Sequence, residues 1–187
     1  MIAVRHAEPA DAAAIAAAHI EGWRVGYRGV VPDGYLDAPE FAAERRERWQ
    51  AWTWNALGGS ACFVGELHGR VVGFGLCGPE RAEPTCDQGE GAPASTGRGE
   101  VFAFYLHPAA WGSGVAAALI TACTTWLATE GFSEAVLWVL RDNPRGRGFY
   151  EKAGWSATGR EQQFDGPHTA VSLPFSLSEV EYATLLG

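Results

Sequence analysis

Long basic runs are missing from this chain of 187 residues, whose formal net charge is -8. Nucleic-acid binding needs a cationic face, and short clusters such as Arg45-Arg46 do not make one. The four cysteines (Cys62, Cys77, Cys86 and Cys123) are scattered without a CxxC pair. That spacing argues against a zinc site, predicts no metal, and favours reduced structural thiols. No His stands in a recognisable partner motif for a nucleophilic thiol. No apolar run approaches the roughly 20 residues needed to span a bilayer. The opening Met1-Ile2-Ala3-Val4-Arg5-His6 has no apolar signal core, which predicts a cytoplasmic protein. No internal repeat is visible. What remains is the composition of a globular protein: 47% of residues are hydrophobic and 19% charged. The length suits one domain, residues 1–187, with a core of its own.

Local signals divide the chain into elements. Ile2-Ala3-Val4 reads as a first strand. Asp11, a good N-cap, precedes an Ala-rich helix carrying Ile15, His19, Ile20 and Trp23 and ending near Gly26 or Gly29. A second helix is expected from Pro39 to Trp52, with the charges of Glu44 to Arg48 on a wet face. Cys62–Leu67 and Arg70–Leu76 read as a hairpin with His68-Gly69 as its two-residue turn. Residues 79–99, rich in Pro, Gly, Ala and Ser, read as a long mobile surface loop. Glu100–His107 is a buried strand that Pro108 stops. Val115–Glu130 is a helix closed by Gly131, Ala135–Leu140 a strand, and Pro144–Ala153 a helix with Pro in its first turn and Gly154 beyond its end. Strands over Ser156–Phe164 and Thr169–Phe175, joined by a turn at Asp165-Gly166, complete the reading. The order β-α-α-β-β-β-α-β-α-β-β predicts an α/β fold with a mixed sheet and helices on both faces.

Two segments carry chemistry. Trp111-Gly112-Ser113-Gly114-Val115-Ala116 joins a strand to a helix. The first N–H groups of a helix lack intrahelical partners, glycines permit close approach, and the helix dipole favours an anion, so the turn suits a pyrophosphate. The plain alternative is a tight turn that binds nothing. In the second segment, Asn143 and Tyr150 are seven residues apart, nearly two helical turns, and share a face. Gly146 lies between them, where a helical glycine costs roughly 1 kcal/mol relative to Ala; something is expected to pack closely there. Taken alone, this segment reads equally as a helix capped by Asn143 and packed through Phe149 and Tyr150.

Together the segments resemble the GNAT superfamily of acetyl-CoA-dependent N-acetyltransferases. The family's phosphate loop, Q/R-x-x-G-x-G/A, matches Trp111 to Ala116 with Trp111 in place of Gln or Arg. Its later pattern, N-x-x-A-x-x-x-Y-x-x-x-G-F, matches Asn143, Gly146, Tyr150, Gly154 and Trp155 at the same spacing. Gly99 to Pro108 is similar to the family's central strand, and the opening with Arg5, Asp11, Ile15, Trp23 and Tyr27 to its first strand and helix. The resemblance implies a central, mostly antiparallel sheet of about seven strands with a splayed pair at the cofactor site. It implies acetyl-CoA as acyl donor, held by Phe104, Tyr105 and Leu106 along the strand, by Trp111, Gly112, Ser113, Gly114, Val115 and Ala116 in the turn, and by Asn143, Gly146 and Phe149.

The acceptor implied is a primary amine, read here as a small molecule. An alkyl ammonium, with pKa near 10.4, must lose a proton before it attacks a thioester, and the departing thiolate gains from a proton donor. By the same resemblance Tyr150 is the expected general acid. Glu100, on the central strand, is the candidate base; His107, beside Pro108, is a weaker one. Trp23, Tyr27, Phe102 and Trp138 are candidate walls of the acceptor pocket, each equally readable as core. Trp111 underlies a second reading, a module that holds acyl-CoA without catalysis. The stretch Ser176 to Gly187 is expected to pack on a second copy, giving a homodimer, or back on its own domain.

Overall fold

The computed structural model describes residues 1–52, 59–81, 96–164 and 175–187. They form seven strands and five α-helices: β1 (Ile2–His6), α1 (Ala12–Gly26), α2 (Asp33–Leu36), α3 (Pro39–Ala51), β2 (Ala61–Leu67), β3 (Arg70–Pro79), β4 (Gly99–Leu106), α4 (Val115–Thr129), β5 (Glu134–Leu140), α5 (Pro144–Lys152), β6 (Ser156–Phe164) and β7 (Leu177–Leu185). Short 3-10 turns at Pro9–Asp11 and Pro108–Ala110 lead into α1 and α4. The strands make one sheet in the order β1-β2-β3-β4-β5-β7-β6. β4 and β5 run parallel, registered from Gly99↔Ala135 to Val101↔Leu137. β7 lies antiparallel to both β5 and β6. The sheet is mixed and mostly antiparallel, as expected.

Local chemistry explains most boundaries. His68 and Gly69 both take positive φ, 52° and 76°. That matches the twist of a two-residue hairpin turn, so β2 and β3 are antiparallel. Gly131 closes α4 at φ 93°, with Phe132 N–H bonded to the Leu127 carbonyl at 3.1 Å, a Schellman-type end. Asp11 does precede α1, but its carboxylate accepts from the Glu8 N–H and the Arg5 guanidinium rather than from the helix. Its first cause, the Arg5 hydrogen bond, holds the Asp11 carboxyl below its ordinary value.

One boundary departs from expectation. The last strand is β7, Leu177–Leu185, where Ser176 to Gly187 was expected to be a packing tail; the strand expected at Thr169–Phe175 and the turn at Asp165-Gly166 fall mostly outside the described residues. Most of the loop expected over 79–99 also lies outside them; Glu80 and Arg81 at its start are buried, and Thr96 and Gly97 near its end are exposed. The wet face of α3 has an exception too: Arg45 is buried, its guanidinium over the Phe41 ring at 3.6 Å.

The residues cluster into two compact units, Met1–Gly75 with Phe104–Ala122, and Leu76–Ala103 with Cys123–Gly187. The first has a core of Ile15, Trp23, Leu36, Trp49, Val64, Phe74, Val115 and Leu119; the second has Leu76, Val101, Leu127, Val136, Leu137, Trp155 and Tyr182. Cys62, Cys77 and Cys123 are buried.

Within the first unit, β2 meets α4 at Gly65. A Cβ there would lie 2.5 Å from Val115 Cγ1 and 2.7 Å from Leu119 Cδ1. Gly65→Ala is therefore expected to overpack this contact and destabilise by about 1–3 kcal/mol. Urea unfolding of the variant checks this; an unchanged midpoint would mean that α4 yields without loss.

Candidate functional site

The first unit carries the turn from His107 to Ala117. His107 Nδ1 accepts from Ala109 N–H at 3.2 Å and caps the Pro108–Ala110 turn, a structural task. Ser113 knits the loop: its hydroxyl donates to the Ala110 carbonyl at 2.6 Å and accepts from Val115 N–H at 3.4 Å. Gly112 and Gly114 take φ of 77° and 93°, a region L side chains seldom enter. A Cβ on Gly112 would meet nothing within 4 Å. Left-handed backbone, rather than crowding, thus requires a glycine at position 112. The first bond of α4 runs from Ala118 N–H to the Gly114 carbonyl at 3.2 Å. The N–H groups of Ala116 and Ala117, earlier in that helix, have no intrahelical acceptor, and Ala117 is exposed.

The same unit holds the second half of β4. A Cβ on Gly22 of α1 would lie 3.3 Å from the Leu106 carbonyl oxygen, so helix and strand backbones nearly touch. The fully buried His19 ring stacks on Tyr105 at 4.5 Å and 25°. Trp49 Nε1 donates to His19 Nδ1 at 3.1 Å, which assigns the neutral ring its hydrogen on Nε2. Trp23 is 3% exposed. Tyr27 stands edge-on to it at 4.8 Å, and the Arg45 guanidinium lies 4.8 Å above its ring. Phe104, Tyr105 and Trp111 are half-buried.

The second unit carries Glu100, Phe102, Trp138 and α5. Glu100 is 1% exposed. Its carboxylate accepts from the Arg81 backbone N–H at 2.9 Å and from the Arg81 guanidinium at 3.2 and 2.5 Å. The same guanidinium lies 4.6 Å from the Phe102 ring centre. Trp138 is covered likewise by Arg160 at 5.6 Å. Arg160 and Arg98 both donate to the fully buried Glu181, at 2.7 and 3.1 Å, and Thr158 bonds its other oxygen at 2.8 Å. Glu181 faces Trp138 across the β5–β7 ladder. Glu80 completes the network with bonds from Arg98 and Thr96.

On α5, Asn143 is the N-cap, its Oδ1 accepting from Gly146 N–H at 2.9 Å. The close neighbour expected at Gly146 is Asn143 itself, with Val139 behind it: a Cβ would lie 2.6 Å from Asn143 Nδ2 and 3.2 Å from Val139 Cγ2. Tyr150 is 8% exposed, its ring against those of Phe149 and Trp155. Gly154 ends the helix at φ 89°. Each unit thus gathers part of the expected constellation. Sequence reasoning missed Arg81, Arg98, Arg160 and Glu181, whose pairings span 18 to 83 residues. Among the described residues, no His, Cys, Asp and Glu group is arranged to hold a metal ion, and no helix is long and apolar enough to cross a membrane.

Comparison with known proteins agrees with these motifs. The model of the acetyltransferase (GNAT) family matches residues 30–155. The chain is 30% identical over 145 residues to the "uncharacterized N-acetyltransferase YuaI" of Bacillus subtilis, covering 77% of this chain and 75% of that protein. It is 25% identical over 183 residues to the "probable N-acetyltransferase Rv2775" of Mycobacterium tuberculosis, covering 92% and 90%. Among solved structures, the PaiA N-acetyltransferase of Thermoplasma acidophilum in complex with coenzyme A superposes with a TM-score of 0.71 at 15% identity, over 99% of both chains. YncA, a putative acetyltransferase from Salmonella typhimurium with acetyl-CoA, gives 0.64 at 20% identity, over 100% of this chain and 95% of that one. With a left-handed glycine turn opening α4 and an Asn-capped α5 bearing Tyr150, this chain belongs to the GNAT acetyltransferase family. It is an acetyl-CoA-dependent N-acetyltransferase.

The buried network makes a pH prediction. Burial pushes the Glu80 carboxyl up, but the hydrogen bonds of Arg98 and Thr96 outweigh it and leave the carboxyl below its ordinary 4.5. A group depressed in the folded state stabilises above its unfolded pKa, and that contribution disappears as pH falls through the folded value. Stability is therefore expected to fall below about pH 4.5, with a shallower fall in Glu80→Gln. Urea midpoints over an acid series measure this, and parallel curves for the two proteins would contradict it.

Proposed function

We propose that the enzyme transfers the acetyl group to a primary amine of a small molecule. The observation that carries the donor half of this reading is the left-handed turn at Gly112 and Gly114, after which the first bond of α4 is made by Ala118 N–H, leaving those of Ala116 and Ala117 without an intrahelical acceptor. In this reading the turn from Gly112 to Ala116 holds the pyrophosphate through its backbone, helped by the helix dipole, while the Ser113 and Val115 N–H groups stay on the Ala110 carbonyl and the Ser113 hydroxyl. Trp111 flanks it. The backbone of Phe104, Tyr105 and Leu106 bonds the pantetheine arm, and one N–H there stabilises the tetrahedral oxyanion. Asn143, Gly146 and Phe149 flank the acyl donor. Tyr150 protonates the departing thiolate.

The acceptor reading is reshaped by the arginines. Trp23, Phe102 and Trp138 were candidate walls of the acceptor pocket. Each has a guanidinium over it, Arg45, Arg81 and Arg160 respectively, so a second cation would meet repulsion there. Glu100 is the counter-ion of Arg81, and its carboxylate is already engaged by three donors of that residue. The reading that fits is an amine taken up as the free base, its later proton passing to water, with Glu100 holding Arg81 in place. Tyr27 keeps its proposed place at the pocket wall.

Two experiments test this. Acetyl-CoA is expected to raise the melting temperature, because a ligand bound only by the native state stabilises it. Ala117→Glu places a carboxylate in the first turn of α4, which suits the helix but opposes a pyrophosphate; the variant should melt at or above the wild-type temperature without ligand and lose the shift. A retained shift would remove the phosphate from this turn. Tyr150→Phe is expected to lower turnover by about 10²- to 10⁴-fold, the range of a general acid, with the acetyl-CoA shift preserved. The acceptor is sought in a thiol-release panel of a polyamine, an amino acid, an aminoglycoside and a short peptide. Turnover of the peptide alone would overturn the small-molecule reading.

A further inference from the structure

We infer that Tyr182 is a positioning residue for Tyr150, an inference that rests on the proposed role of Tyr150 as proton donor. Its ground is the way α5 is held. This helix has nine residues and contains both Gly146 and Gly148. Each glycine weakens a helix interior by roughly 1 kcal/mol, and a helix this short is marginal by itself. Its orientation must come from tertiary ties. Asn143 caps one end, and Tyr150 is buried near the other.

A hydroxyl from the sheet bonds two residues of this helix. Tyr182 is 0% exposed in β7, paired with Leu137 of β5 on one side and Ala157 of β6 on the other. Its ring is therefore fixed by an interior strand. Its hydroxyl donates to Glu151 Oε1 at 2.8 Å and accepts from Arg147 Nε at 3.1 Å. Arg147 and Glu151 are four residues apart, one turn, and so share a face of α5. A single oxygen thus bonds two residues one helical turn apart, acting as donor to one and acceptor from the other. Arg147 adds a bond to the Arg141 carbonyl at 3.2 Å, tying the same face to the segment before the helix. Tyr150 adjoins Glu151 in sequence, and its ring centre lies 6.4 Å from that of Tyr182.

The grip fixes the roll of α5 about its axis and with it the direction of the Tyr150 side chain. Proton transfer in the transition state needs the donor within hydrogen-bond reach, and a misplacement of about 1 Å can cost 10²-fold. Removing the Tyr182 hydroxyl leaves the ring in the core but releases the helix face.

The test is a double-mutant cycle on thiol release, with acetyl-CoA and the fastest amine of the panel. Tyr182→Phe is expected to lower kcat about tenfold or more with the acetyl-CoA melting shift kept. In a Tyr150→Phe background the same change should produce no further loss, because the group it positions is gone. Glu151→Ala, at an exposed position, is the second variant should Tyr182→Phe fail to fold; a smaller loss of kcat with the same non-additivity is expected. Wild-type kcat in both variants, or a loss that repeats undiminished in the Tyr150→Phe background, overturns the inference and leaves Tyr182 a core residue. If Tyr150→Phe alone is without effect, the proton-donor reading itself fails and the positioning role falls with it.

Discussion

A carboxylate removed from water must be met by donors, and in the second unit three carboxylates impose that condition at once. Glu80, Glu100 and Glu181 are 6%, 1% and 0% exposed. An uncompensated buried charge would cost several kcal/mol, so Arg81, Arg98, Arg160, Thr96 and Thr158 are drawn to them. The partners come from just beyond β3, from the approach to β4 and from β6. Pairing charges therefore decides how these strand ends converge. The arrangement need not add net stability relative to an apolar core; its effect is to permit one set of partners and to penalise the rest.

The same condition shapes the chemistry. Arginines recruited to neutralise the carboxylates also lie over Phe102 and Trp138. The rings gain a cation without waiting for a substrate. A surface with formal charge -8 thus coexists with a local cluster in which three guanidiniums match three carboxylates. Overall charge is a poor guide to the field at such a place, because interactions at contact distance outweigh the screened contribution of distant groups.

Glycine acts in two different ways in this chain. At Gly112 and Gly114 the requirement is left-handed backbone, which lets the chain turn from β4 into α4. At Gly65, Gly73 and Gly22 it is space: a Cβ on Gly73 would lie 2.8 Å from the Tyr105 carbonyl oxygen. The first kind shapes the turn proposed to hold phosphate. The second brings backbones together and keeps β4 close to its neighbours.

Much of the fold was legible in the sequence because it is written in local physics. The His68-Gly69 turn, the Pro and Gly at the ends of α5, the Gly131 stop and the apolar run of β4 each act within a few residues. The spacing of Gly112, Gly114, Asn143 and Tyr150 was visible for the same reason, since helical periodicity places residues without reference to anything distant. β7 was not. Ser176 to Gly187 read as a stretch packing on a second copy or back on its own domain, and its place as an interior strand depends on distant groups: Arg98, 83 residues away, Arg160 and Thr158 make a buried Glu181 tolerable. Glu100 looked like a free carboxylate, because nothing in its neighbourhood announces that Arg81 returns to it across 19 residues. Sequence alone determined which segments turn, cap and repeat; the tertiary structure decided which charges are neutralised and which rings are covered, because both depend on groups that only folding brings within a few ångströms.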